Sequence, residues 1–389
     1  MRLKKPILID LFCGCGGFSL GASRAGFSVI AGADNDIHAI STHKRNFPKT
    51  LHLEVDLSGV SGVEIRNELG LIDTEIDGLI GGPPCQGFSC IGRRDGGDIR
   101  NELFLHFFRL VAEIRPRFFL CENVPGILHP RFDGSREAAL RQVREYYRLL
   151  QPMKLTASDY GAPTTRARVF FFGCRIDDCI SINEEDFQPS SDIKTVNVEQ
   201  ALRGLPRSVR PQWQTEGKGW RKVRIVSDGA FGERLNGVIP QDVGDVECIR
   251  RLREERLVSG CLGTKHTEDV IRRFRRLSPG SRDTISKSCR LDPKGFCPTL
   301  RAGTDSERGS YQAVRPIHPT EDRVITPREA ARLQGFPDWF QFHATKWHSF
   351  RLIGSSVSPI LAEGLLRTIR GRLSESGRSS WRTSNGRET

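Results

Sequence analysis

Asp10-Leu11-Phe12-Cys13-Gly14-Cys15-Gly16-Gly17-Phe18-Ser19-Leu20-Gly21 is the stretch that decides the fold. It follows an apolar run, Pro6–Phe12, and precedes a helical pattern from about Gly17 to Ala25. A strand, a glycine-rich turn and a helix in that order let the backbone come close to a ligand at a helix N-terminus. The stretch does not match GxGxxG, because Phe18 and Ser19 follow Gly17. On its own it is equally a tight turn.

The alternation continues outward from this loop. Phe27–Ala33, Leu51–Val55, Asp77–Ile80, Arg117–Cys121 and Val169–Phe172 read as strands. Helices are expected up to about Asn46, near Glu102–Ile114 and over Ser135–Leu150. Strands alternating with helices at this spacing predict an α/β fold with a doubly wound, mostly parallel Rossmann-like sheet. Asp10, Asp34 and Asp56 fall at the ends of the first three strands. Ligands bind outside the carboxyl ends of such strands, and an acid after the second is placed for a ribose. Hydride carriers and S-adenosylmethionine both meet that description.

From about 177 to 308 the periodicity fades, which predicts a smaller, irregular domain. Regular structure returns at Thr326-Pro327-Arg328-Glu329, a capping box with proline at the first helical position. A last helix is expected from Ser358-Pro359 to Arg370, stopped by Gly371, and 372–389 reads as a disordered tail. The expected division is 1–176, 177–308, 309–371 and 372–389.

The 389 residues carry a net charge of +12, with arginines outnumbering lysines 47 to 12. Residues 1–200 sum to −2 and residues 201–389 to +14, so the basic excess lies in the second half. That asymmetry points to a nucleic-acid partner. No apolar run is long enough to span a membrane and no signal core is visible, so the expected place is the cytoplasm. Eleven cysteines occur without a CxxC pair or a zinc-ligand spacing, so no metal is expected.

Gly81-Gly82-Pro83-Pro84-Cys85-Gln86-Gly87-Phe88-Ser89 follows the fourth strand, and Glu122-Asn123-Val124 follows the fifth. Adjacent parallel strands would bring Cys85 and Glu122 to one sheet edge. A thiolate and a carboxyl there suit nucleophilic attack assisted by proton donation. With Asp10–Gly21, Tyr160–Gly173, Val324–Pro337 and Arg351–Pro359, these segments closely resemble the ordered motifs of the cytosine-5 DNA methyltransferases. The motifs frame about two-thirds of the chain, and the irregular basic region falls where that family keeps its target-recognition domain.

The resemblance implies a DNA (cytosine-5-)-methyltransferase of prokaryotic type that uses S-adenosylmethionine. Cys85 would add to the target cytosine, Pro84 would stiffen its loop, and Glu122 would bond to ring nitrogen 3. Arg166 and Arg168 would support the flipped base and its phosphate. Phe12, Gly14, Gly16, Gly17, Asp34, Asp56, Leu57, Leu103, Ser355 and Val357 would form the cofactor site. Gln86–Arg100 resembles the family's mobile loop, with Ser89, Arg93 and Arg94 toward DNA. The resemblance further implies double-stranded DNA as partner, a monomer, and a companion restriction endonuclease.

Arg272, Arg273, Arg275 and Arg276 surround Phe274 and either track phosphates or form a solvated face; Trp213 and Trp220 are core or contact residues. The chain departs from the family pattern at Thr164, where Gln is usual, and at Ser355, where Asn is usual. It departs again at Asp34-Asn35, where Glu and an aromatic are commoner. A tRNA cytosine methyltransferase, an inactive DNA-binding relative and a dehydrogenase are the competing readings. The basic insert argues against the first and retention of Cys85, Glu122 and Arg168 against the second. The third needs a nicotinamide site that no motif supplies.

Overall fold

The computed structural model describes residues 5–84, 102–178, 180–210, 219–227, 229–302 and 315–384. The chain begins β1 (Ile7–Leu11), α1 (Gly17–Arg24), β2 (Ser28–Asp34), α2 (Ile37–Asn46), β3 (Leu51–Glu54), α3 (Gly62–Glu68), β4 (Gly78–Gly81), α4 (Glu102–Ile114) and β5 (Phe118–Asn123). There follow α5 (Asp133–Arg141), β6 (Tyr147–Leu149), β7 (Met153–Thr156) and β8 (Ala167–Arg175). These strands form one eight-stranded sheet, ordered β3-β2-β1-β4-β5-β8-β6. The first five are parallel, β8 runs antiparallel to β5, and β6 and β7 share the far edge of β8.

The sheet is buried on both faces because its strands are apolar at successive positions. Leu8, Ile80, Phe118, Leu120, Phe170 and Phe172 join one core cluster. Ile9, Leu11, Leu79, Phe119, Cys121 and Phe171 join the other, following the two-residue period of a strand. Helix α4 covers the second face with Phe104, Phe107 and Phe108, whose rings meet Phe119 and Phe171 edge-on.

The remaining elements are α6 (Val198–Leu202), β9 (Arg221–Lys222), α7 (Gly229–Asn236), α8 (Val246–Arg250), β10 (Leu257–Val258), α9 (Glu268–Arg275), α10 (Pro327–Gln334), α11 (Lys346–Ser355) and α12 (Pro359–Ser384). In the described part of 177–308, the short helices α6 to α9 and the β9–β10 pair are joined by irregular segments. Val198, Leu202, Phe231, Leu252, Val258, Leu291 and Leu300 nevertheless belong to the same cluster as the first sheet face. A small separate cluster surrounds Phe274, with Ile317 and Val324. Helix α10 has the expected capping box, with Gly335 in the left-handed conformation at its end. It is buried throughout; its Arg332 pairs with Asp338 at 2.7 Å, both wholly shielded from water.

Three expectations change. Ser135–Leu150 is not one helix: α5 ends at Arg141, and Tyr147–Leu149 pairs with β8. Tyr147 is buried and donates its hydroxyl to the Pro116 carbonyl at 2.7 Å, which fixes the chain as an edge strand. Glu122 and Asn123 lie inside β5 rather than after it. Helix α12 continues through Gly371 to Ser384, so 372–384 is helical rather than a disordered tail. A glycine inside a helix costs only about 1 kcal/mol. Burial of Leu373 and the Arg372–Asp186 ion pair hold the helix beyond it.

Candidate active site

The glycine loop sits at the carboxyl ends of β1 and β2. Gly16 caps α1 with φ 98°. A Cβ on Gly17 would lie 2.0 Å from the Ser356 hydroxyl and 2.3 Å from the Val357 carbonyl. The segment after α11 therefore packs directly on this loop, and glycine is required for that approach. Val357 is buried there and Ser355 is exposed. Phe12 is half-buried with φ 56°, in the left-handed region. Space is open beside Gly14, whose N–H donates to Asp34 Oδ2 at 2.9 Å.

Asp34 Oδ1 accepts from the Asp36 N–H at 3.0 Å, and burial raises the Asp34 pKa. Asp56 lies two residues beyond β3, its Oδ1 accepting from the Ser58 N–H and hydroxyl, which lower its pKa. Leu57 is buried and Leu103 half-buried. An open side at Gly14, a carboxylate at the end of β2 and apolar residues beside it fit an adenosine-bearing cofactor.

Asp10 takes another direction from Asp34. It is fully buried, and its Oδ2 accepts from the Ser19 hydroxyl at 2.6 Å. Ser19 Oγ is 3.0 Å from His43 Nε2, and His43 Nδ1 is 2.9 Å from His52 Nε2. Spacing alone could not reveal this chain of polar groups, which runs beneath the loop. Burial pushes the Asp10 pKa up to about 7. Between the unfolded value near 4 and 7 the folded state holds a proton that the unfolded state has lost, so stability falls as pH rises. Asp10→Asn removes that titration. Its stability relative to wild type is expected to improve by about 1.4 kcal/mol per pH unit across this window, measured by urea unfolding at pH 5, 6 and 7.

At the β5 end, Glu122 is buried, and its Oε1 lies 2.6 Å from Arg168 Nε. The pair is close as an ion pair but misaligned as a hydrogen bond, since Oε1 has no hydrogen-bond partner. A Cβ built on Gly82 would lie 3.2 Å from Glu122 Oε2, so the loop toward Pro84 starts against this carboxylate. Pro84 is exposed. Cys85, Ser89, Arg93 and Arg94 lie outside the described residues, as does Trp213.

Arg166 does not share Arg168's setting. It is 1% exposed and donates to the carbonyls of Leu300 at 3.1 Å, Gly354 at 2.9 Å and Ser355 at 3.3 Å. It ties the start of β8 to the segment at Leu300 and to the end of α11. Arg166→Ala is expected to destabilise the fold by about 3 kcal/mol, because buried carbonyls lose their donors. Thermal unfolding measures this; unchanged stability would return Arg166 to a DNA-facing role.

Around Phe274, which is buried, Arg272 pairs with Asp269, Arg273 with Asp283 at 3.1 Å and Arg275 with Asp322 at 3.0 Å. Arg276 is exposed. Trp220 is half-buried under the Arg251 guanidinium. Thr164 is buried and bridges to Cys297.

A family model described as C-5 cytosine-specific DNA methylase matches residues 7–371. The Type II methyltransferase M.XorII of Xanthomonas oryzae is 39% identical over 373 residues, covering 93% of this chain and 84% of that protein. The Type II methyltransferase M.AgeI of Thalassovita gelatinovora is 30% identical, covering 94% and 99%. Among solved structures, a putative DNA modification methyltransferase encoded within an Escherichia coli prophage is 49% identical. It superposes with a TM-score of 0.87, covering 95% of this chain and all of that one. The S. pombe Dnmt2 methyltransferase shares the fold at 16% identity, with a TM-score of 0.61 and coverage of 95% and 99%.

Proposed function

The chain belongs to the C-5 cytosine-specific DNA methylases, and from that premise we propose that it methylates a cytosine flipped out of a specific duplex sequence through a covalent Cys85 adduct. The observation that carries the reading is the buried Glu122 carboxylate. It sits against Arg168 on one side and against the Gly82 end of the cysteine loop on the other.

Carbon 5 of cytosine is a poor nucleophile. Addition of the Cys85 thiolate to carbon 6 makes carbon 5 electron-rich. Glu122 protonates or hydrogen-bonds ring nitrogen 3, so charge does not build up there. Arg168 holds the Glu122 carboxylate in place, and Arg166 positions β8 behind it. Once carbon 5 carries its methyl group, loss of the carbon-5 proton and β-elimination free Cys85. The base leaves the helix to reach this site.

S-adenosylmethionine, when bound, supplies an electrophilic methyl group. Asp34 would hold its ribose, Phe12 would stack on adenine and Asp56 would accept from the adenine amino group. Gly14, Gly16 and Gly17 would admit the rest beside Val357, with Ser355, Leu57 and Leu103 bordering it. In the Phe274 segment Arg276 is the first choice for a phosphate contact, since acids already engage Arg272, Arg273 and Arg275. Relatives named Type II methyltransferases support a place beside a restriction endonuclease in a prokaryotic cytoplasm.

Bisulfite sequencing of DNA from cells expressing this chain tests the reading. Protected cytosines in one short sequence context are expected. Fully converted DNA from cells making folded protein would overturn it.

A further inference from the structure

Among the described residues, His38, His343 and His348 each offer a ring nitrogen, and these atoms all lie within 4.8 Å of one another. We propose that the three imidazoles bind one divalent transition-metal ion of the zinc class, with water in the remaining position. Nothing in the motifs of the methylation site calls for it.

Two segments far apart in sequence build the site. His38 stands in the first turn of α2, which Asp36 caps by accepting from the His38 and Ala39 N–H groups. His343 lies just ahead of α11, and His348 is the third residue of that helix. The rings are 3.7, 4.5 and 4.8 Å apart between centroids. Zinc–nitrogen bonds are about 2.0–2.1 Å, so ring movements of about 1 Å bring the nitrogens to bonding distance.

The hydrogen-bonding settings of two of the rings suit metal ligands. His348 Nδ1 is shut off from water without a hydrogen-bond partner. That is a costly arrangement for a ring nitrogen, and a metal ligated by this imidazole removes or offsets the cost. His343 Nδ1 is 3.0 Å from the Thr345 hydroxyl. Metal on its Nε2 puts the proton on Nδ1, where that hydroxyl accepts it, in place of the present 3.1 Å contact from the Thr345 N–H. Arg351 lies beside the group but is paired with Asp36, which offsets its charge.

Each histidine is half-buried rather than enclosed, which leaves room for water as a fourth ligand. Three imidazoles suit zinc, nickel or copper rather than magnesium or calcium. A bound ion would fasten the start of α11 to the start of α2.

Chelator-treated, tag-free protein is titrated with Co²⁺ alone and followed by visible absorption and equilibrium dialysis. One saturable equivalent is expected, with d–d bands that Zn²⁺ displaces. His38→Gln and His343→Gln, which keep bulk in the cluster, are each expected to weaken binding by at least about tenfold. Circular dichroism confirms that the variants are folded. Should wild type show no saturable site, or should both folded variants bind Co²⁺ with unchanged spectrum and affinity, the proposal fails.

Discussion

Cys85→Ala is expected to lower methyl transfer to duplex DNA by roughly 10,000-fold or more while leaving DNA binding within a few fold. The size follows from the chemistry. Without the carbon-6 adduct, carbon 5 has no electron density to offer, and positioning alone does not create it. Of the eight described thiols seven are buried, and Cys289 is half-buried with its pKa raised by burial. Cys13, Cys15, Cys121, Cys261 and Cys297 are all buried, and burial raises their pKa values, with Cys15 pushed up to about 12. Their thiolates are therefore scarce at neutral pH. Incorporation of a labelled methyl group, with gel-shift binding of the same duplex, measures both halves. Incorporation by the variant within tenfold of wild type would refute the covalent route.

Glu122→Gln is expected to lower kcat by about 100- to 1,000-fold with little change in KM for DNA. Glutamine keeps the side chain's length, and its carbonyl still faces Arg168, so the fold should hold to within about 1 kcal/mol. What it loses is the acid that meets ring nitrogen 3 as the adduct forms. That interaction belongs to the transition state, which is why kcat carries the loss. Single-turnover kinetics on saturating duplex, alongside urea unfolding, separate the two effects. A variant whose KM rises while kcat stays constant would make Glu122 a binding residue instead.

The parallel core was legible because its strands are short apolar runs, each followed by a glycine or an acid. Ile7–Leu11, Ser28–Asp34 and Gly78–Gly81 lie within a residue or two of the expected limits. The Thr326–Glu329 cap was legible for a local reason: four residues suffice to satisfy a helix end. Long-range partners were not. Arg166 reads like Arg168 in an extended segment, yet its carbonyl partners are more than 130 residues away. Tyr147–Leu149 looked helical because edge pairing with β8 cannot be seen in its own periodicity. Gly371 looked like a stop because packing of Leu373 beyond it is a tertiary fact. His38, His343 and His348 have no ligand spacing at all, since about 300 residues separate the first from the others.

The basic second half is also subtler than its net charge. Three of the four arginines around Phe274 are engaged by acids within the fold. Charge that counts toward a nucleic-acid footprint is exposed and uncompensated, and composition cannot make that distinction.

The central claim is the covalent Cys85–cytosine adduct, and a duplex with 5-fluorocytosine at the mapped site tests it most directly. Fluorine cannot leave as the carbon-5 proton does, so β-elimination is blocked and the adduct persists. Wild-type protein with S-adenosylmethionine should yield a DNA complex that survives denaturing electrophoresis, with mass spectrometry placing the modified base on the Cys85 peptide. Methylation of ordinary duplex by a preparation that forms no such complex, or a complex through another residue, would contradict the account.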